Sequence, residues 1–134
     1  MQPVHRRPLH SGGRRPWARK FADAFRGLVR AVRSGSSFLV HLWAAVAVVV
    51  AAAVLRVELV EWCLLLGAIA MVLAAEVFNS AIESLARAFG PGRHPRIRDA
   101  LDMAGAAVLV AAAGAAAIGV LVLGHRAGAL LGLW

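Results

Sequence analysis

Four apolar patterns follow one another along the chain. In residues 17–33, Trp17, Phe21, Phe25, Leu28, Val29 and Val32 recur at helical spacing, with Arg19, Lys20, Arg26, Arg30 and Arg33 mostly on the other positions. A basic amphipathic helix of this kind suits an anionic membrane surface. Ser34-Gly35-Ser36-Ser37 then breaks or bends the chain. From Phe38 to Leu55 the pattern loses its period, and His41 is the only polar side chain in a stretch long enough to be a first membrane span. Arg56, Glu58 and Glu61 make a short polar connection. A second span opens at Trp62 and stays apolar through Ala75, where it runs into Glu76, Asn79 and Glu83 with no Pro or Gly to stop it. One helix continuing to about Phe89 is therefore expected, ended by Gly90-Pro91-Gly92. Residues 90–98 read as a basic loop, and Ala104–Leu123 as a third span without charge. The tail Gly124–Trp134 is too short to cross again and places Trp134 at the interface.

Composition turns this pattern into a fold class. Of 134 residues, 60% are apolar and 16% charged, with a mean hydropathy of +0.72. That excludes a disordered chain and predicts a single all-α membrane domain, residues 17–134: a surface helix followed by three spans. The one cysteine, Cys63, excludes an internal disulfide and a multi-thiolate metal site. Residues 1–16, rich in Arg, Pro and Gly, read as a disordered basic tail, with no secretory-signal pattern.

Charge then sets the orientation. Residues 1–37 hold nine Arg and Lys against the single acid Asp23, whereas residues 38–134 hold six bases and six acids. The loop between the second and third spans is the other basic segment. The positive-inside bias places the N-terminus and residues 84–101 in the cytoplasm and the C-terminus outside. A soluble nucleic-acid binder is disfavoured despite the basic arm, because little water-facing scaffold remains.

The candidate chemistry lies where the second span ends. Glu76, Asn79 and Glu83 are spaced i, i+3, i+7 and share a helix face. Carboxylates at a membrane boundary cost at least a few kcal/mol, so they usually face a bundle interior or a watery cavity. Asp102 opens the third span at the same level, so Glu76, Glu83 and Asp102 are expected to meet there with Asn79 among them. Carboxylates and an amide suit magnesium, whose shell phosphates commonly complete. Arg87, Arg93, Arg96 and Arg98 are placed either to hold phosphate or to contact lipid headgroups. Ser37 and His41 stand one turn apart with no acid beside them in sequence, so no triad is read there. His41 reads as a polar packing or headgroup contact.

The run Glu76-Val77-Phe78-Asn79-Ser80-Ala81-Ile82-Glu83 resembles the E-x-x-N-[ST]-A-I-E signature of the prokaryotic diacylglycerol kinase family, which includes undecaprenol kinases. Its companions follow in register. Phe21, Ala24, Gly27, Leu28 and Ala31 resemble the family's N-terminal helix, and Phe38 with His41 its F-x-x-H entry into the first span. Pro91, His94 and Pro95 resemble its P-x-x-H-P loop, and Asp102 with Ala104–Leu109 its D-x-x-A-G-A-V-L entry into the third span. The resemblance covers residues 17–123 without a gap. It implies a homotrimer in the bacterial inner membrane, with sites shared between chains at the cytoplasmic face. It also implies phosphorylation of diacylglycerol or undecaprenol by MgATP. Glu76 takes the general-base position, Glu83 that of a magnesium ligand, and Asn79, His94 and Asp102 positions in or beside the nucleotide site.

The sequence departs from the family pattern at four places. Gly35 and Leu101 stand where the family has a second metal-binding Glu and a Lys, and Arg87 and Gly92 where acids are usual. Loss of the first two predicts weaker magnesium and phosphate binding; Arg98, one turn from Leu101, is the nearest substitute. The rival reading is a non-catalytic structural or regulatory member of the same family.

Overall fold

The computed structural model describes residues 16–34, 36–90 and 94–133. The expected disordered tail before residue 16 lies outside these, as do Gly35, Pro91, Gly92, Arg93 and Trp134. The described chain is four helices: α1 (Trp17–Ser34), α2 (Ser36–Val54), α3 (Leu59–Ala88) and α4 (Pro95–Leu130).

Helix α1 follows its expected bounds. Ala31, near its end, is buried, while Trp17, Phe21 and Phe25 stay exposed along one side. The Trp17 and Phe21 rings lie 6.4 Å apart, and the Lys20 ammonium sits 4.6 Å from the Trp17 ring centroid. Asp23 pairs with Arg26 on the polar side.

Helices α2, α3 and α4 are each long and apolar enough to cross a membrane, yet only 11% to 22% of each span is buried by the chain itself. A soluble protein could not leave so much continuous apolar surface to water. The chain is a multi-pass membrane protein.

The turn between α2 and α3 is tight. The Val57 amide donates to the Ala52 carbonyl at 3.1 Å and the Arg56 amide to the Ala53 carbonyl at 3.2 Å, the paired bonds of a Schellman ending. Its left-handed position is filled by Arg56, with φ of 51°, rather than by the usual glycine. Val57 then turns inward and packs with Ala52 and Leu65, flanked by Trp62, Ile118 and Val122.

Helix α3 runs unbroken past Glu76, Asn79 and Glu83, as the lack of a breaker required, and gives way at Gly90, whose φ is 76°. Helix α4 is longer than the 20-residue apolar core that announces it. His94 caps its start by accepting the Arg96 amide on Nδ1 at 3.3 Å, and Pro95 occupies the first turn, where its missing N–H costs nothing. Residues 95–98, expected as the end of the basic loop, are therefore helix. At the other end α4 continues through the expected tail to Leu130, because α3 packs beside it for most of its length.

That extension brings Arg126 over the start of α3. Its Nη2 donates to Glu58 Oε1 at 2.9 Å, and its Nε lies 3.1 Å from Glu61 Oε2. Glu61 also accepts the Glu58 amide at 2.7 Å, closing the first turn of α3. Between α2, α3 and α4 a groove of about 770 Å³ extends from Val40 and His41 toward Leu123 and Gly124. His41 is the one polar side chain in its lining.

Candidate active site

Glu76 is 1% exposed, the most deeply buried charged residue among those described. Its position on α3 turns it toward the start of α2. Ser37 Oγ donates to Glu76 Oε1 at 2.6 Å, and His41 Nε2 lies 3.2 Å from the same oxygen. Ser37 and His41 are four residues apart, so one face of α2 presents both. Phe38, seated between them in sequence, is 2% exposed. The hydrogen bond from Ser37 and the imidazole contact both fall on Oε1 of the Glu76 carboxylate.

One turn further along α3 the polar face opens. Asn79 Nδ2 donates to Glu83 Oε1 at 2.9 Å, and Arg87 Nη1 lies 3.6 Å from Glu83 Oε2. Both pairs are i, i+4, the spacing at which helical neighbours meet. The Glu83 side chain is 41% exposed. The face that spacing defines thus holds two carboxylates of different character: one sealed against α2, the other open to a ligand.

Asp102 does not join them. It lies seven residues into α4, while Glu83 lies five residues before the end of α3, so the two stand at similar heights in antiparallel helices. Height does not set direction, however, because a helix turns its side chains by about 100° per residue. Asp102 is exposed and makes no hydrogen bond or ion pair with Glu76, Asn79 or Glu83. Among the described residues no three His, Cys, Asp or Glu side chains are grouped closely enough to hold a metal ion. His94 caps α4 and is exposed.

The donor set within one chain still suits magnesium in a particular way. Magnesium bound with phosphates needs only one or two protein carboxylates. Glu83 supplies an accessible carboxylate, and the Asn79 amide oxygen lies on the same helix face, its nitrogen being the donor to Glu83.

The contact of α2 with Glu76 was not legible in the sequence. Ser37 and His41 had no acid near them along the chain, and the acid arrives from the next helix. The available signal was that His41 interrupts an otherwise apolar span one turn after a serine.

Residues 22–123 match the family described as prokaryotic diacylglycerol kinase. The chain belongs to that family. The matched stretch of this family member contains Ser37, His41, Glu76, Asn79, Glu83, His94 and Asp102. It is also 30% identical over 104 residues to the undecaprenol kinase of Bacillus subtilis (strain 168), an alignment covering 78% of this chain and 85% of that relative. Family and relative together support lipid kinase function in general.

Proposed function

We propose that this protein transfers the γ-phosphoryl group of ATP to the hydroxyl of a membrane lipid, either undecaprenol or diacylglycerol, with Glu76 as general base. The observation that carries the reading is the state of the Glu76 carboxylate. It is buried at the end of an apolar bundle, and its Oε1 is engaged by a hydroxyl and an imidazole of α2, with no lysine or arginine paired to it among the described residues. A carboxylate kept in such a place without a lysine or arginine partner has a large desolvation cost that structure alone does not repay.

In this reading Glu76 Oε2 takes the proton of the lipid hydroxyl. The lipid oxygen bonds to the γ-phosphorus as the bond from that phosphorus to the ADP oxygen breaks, and ADP leaves with the electron pair. Glu83, with Asn79 beside it, would hold magnesium against the phosphates, and the ion when bound offsets their negative charge. His94 and Asp102 serve the nucleotide. His41 lines both the Glu76 cluster and the apolar groove, so a hydroxyl beside Glu76 has apolar surface next to it for the rest of the lipid. The named relative favours undecaprenol over diacylglycerol.

The assembly is a homotrimer. Two observations support association with further copies: each span leaves most of its surface uncovered, and a single chain does not gather Glu76, Glu83 and Asp102; the number three is what the family resemblance implies. A neighbouring copy covers apolar surface and completes the site. The N-terminus and the α3–α4 connection face the cytoplasm of the bacterial inner membrane, and the C-terminus faces out. The exposed Trp17, Phe21 and Phe25 side of α1 lies in the bilayer surface, with its arginines toward anionic headgroups.

A second reading is supported by Gly35 and Leu101, which replace a Glu and a Lys of the family pattern. There the Glu76 contacts only tie α2 to α3 and the protein has no turnover. The deciding experiment offers ATP with diacylglycerol or undecaprenol, separately, to the purified protein in mixed micelles while magnesium is titrated. The kinase reading expects magnesium-dependent phosphorylation of one lipid, reduced at least about 100-fold by Glu76→Gln. It also expects Gly35→Glu to lower the magnesium needed for half-maximal rate. Absence of turnover on both lipids by folded protein establishes the non-catalytic reading.

A further inference from the structure

Among the described residues, both contacts of α2 with Glu76 fall on one carboxylate oxygen, and that asymmetry has a mechanistic use. A glutamate has three side-chain torsions, and each rotamer sends its carboxylate in a different direction. A free carboxylate in an apolar pocket would point a productive lone pair at substrate for only part of the time. In this protein Ser37 Oγ at 2.6 Å and His41 Nε2 at 3.2 Å both approach Oε1. Two contacts from consecutive turns of one helix restrict the torsions, so the other oxygen is held in one place, where it can face a substrate proton.

We infer that Ser37 and His41 are positioning residues for Glu76, which hold its Oε1 so that Oε2 faces the lipid hydroxyl. The inference rests on the kinase reading above. Neither residue transfers the phosphoryl group or binds the metal; they act through Glu76. Exposure fits the role. Ser37 is exposed, and the His41 side chain is 24% exposed against 2% for that of Glu76, so the pair forms the rim between the buried carboxylate and its surroundings. The pair also couples the reaction to how α2 sits on α3, because both positioning groups come from α2 and the base from α3.

The test is a kinetic cycle on the full-length protein in mixed micelles, with rates normalised to folded protein by thermal denaturation. Ser37→Ala is expected to lower kcat about 3- to 10-fold and His41→Ala about 10- to 30-fold, with KM for ATP and for lipid within about 2-fold of wild type. Ser37→Thr, which keeps a hydroxyl, and His41→Gln, which keeps an N–H donor, are expected to recover most of the lost rate. In a Glu76→Gln background the same alanine substitutions should cause no further loss, since groups acting through one residue are not additive. Ser37 is exposed and alanine is a good helix former, so Ser37→Ala decides the matter even if a change at His41 disturbs folding.

The inference is overturned if both alanine variants keep full kcat while Glu76→Gln loses it, which leaves the kinase reading standing. It is likewise overturned if they raise KM without changing kcat, or if they cost as much in the Glu76→Gln background as in wild type. If Glu76→Gln itself retains full activity, the assignment of the base fails and this inference fails with it.

Discussion

The bundle of α2, α3 and α4 uses its charged residues in opposite ways at its two ends. At the α2–α3 turn, Glu58 and Glu61 face Arg126, so opposite charges meet, above a core in which Ala52 and Leu65 are almost wholly covered. At the far end the buried charge is Glu76, met by a hydroxyl and an imidazole rather than by an arginine, and Glu83 stands half open beside Asn79. The first arrangement pairs charges and closes a turn. Among the described residues, the second pairs Glu83 only within its own helix, through Asn79 and an Arg87 contact at 3.6 Å, and leaves Glu76 without an arginine. Strong pairing of a general base would make it a poor base, because an adjacent guanidinium favours its charged form. One end holds the helices together, and the other keeps its buried carboxylate away from arginine, as a general base requires.

This division can be broken from either side. The largest effect on stability should come from Leu65→Ala. Leu65 is 1% exposed at the centre of the turn-end core, and the truncation should cost about 2–4 kcal/mol. Thermal denaturation in detergent should show a clear fall in Tm. Leu65 also lines the groove, roughly 16 Å along α3 from Glu76, so kcat per folded molecule should stay near wild type and any change in activity should fall on KM for lipid. A smaller loss is expected from Arg126→Ala, which strips the partner from Glu58 and Glu61. Glu58 is exposed and Glu61 only partly so, and the cost should be about 1–2 kcal/mol, reduced in high salt. The smallest effect is a gain. Arg56 holds a left-handed backbone at φ 51°, a conformation costing a side-chain-bearing residue about 1 kcal/mol that glycine avoids. Arg56→Gly should therefore raise Tm slightly and leave activity unchanged. A loss of kcat with KM unaltered in any of the three would show that the ends are not separable.

The same contrast explains what the sequence could and could not reveal. The helix through Glu76, Asn79 and Glu83 was legible because nothing in the run can stop it, and its end was legible at Gly90. The common face of those residues followed from spacing, and the bounds of α1 followed from its aromatic period. The contacts that define both ends were not legible. Arg126 reaches Glu58 and Glu61 only because α4 extends beyond its apolar core, and hydropathy marks the core of a span rather than the length of its helix. Ser37 and His41 lacked an acid in sequence because the acid is on the next helix. Asp102 shared a level with Glu83 along the bundle, but level carries no information about direction, and the chain alone does not bring them together.

The most direct test of the account compares Glu76→Gln with Leu65→Ala in one preparation, measuring magnesium-dependent lipid phosphorylation and Tm for each. A crossed result is expected. Glu76→Gln should lose at least about 100-fold in kcat with a small change in Tm, and Leu65→Ala should lose Tm with kcat per folded molecule retained. A Glu76→Gln protein that unfolds as readily as Leu65→Ala, or one that phosphorylates lipid at the wild-type rate, would contradict it.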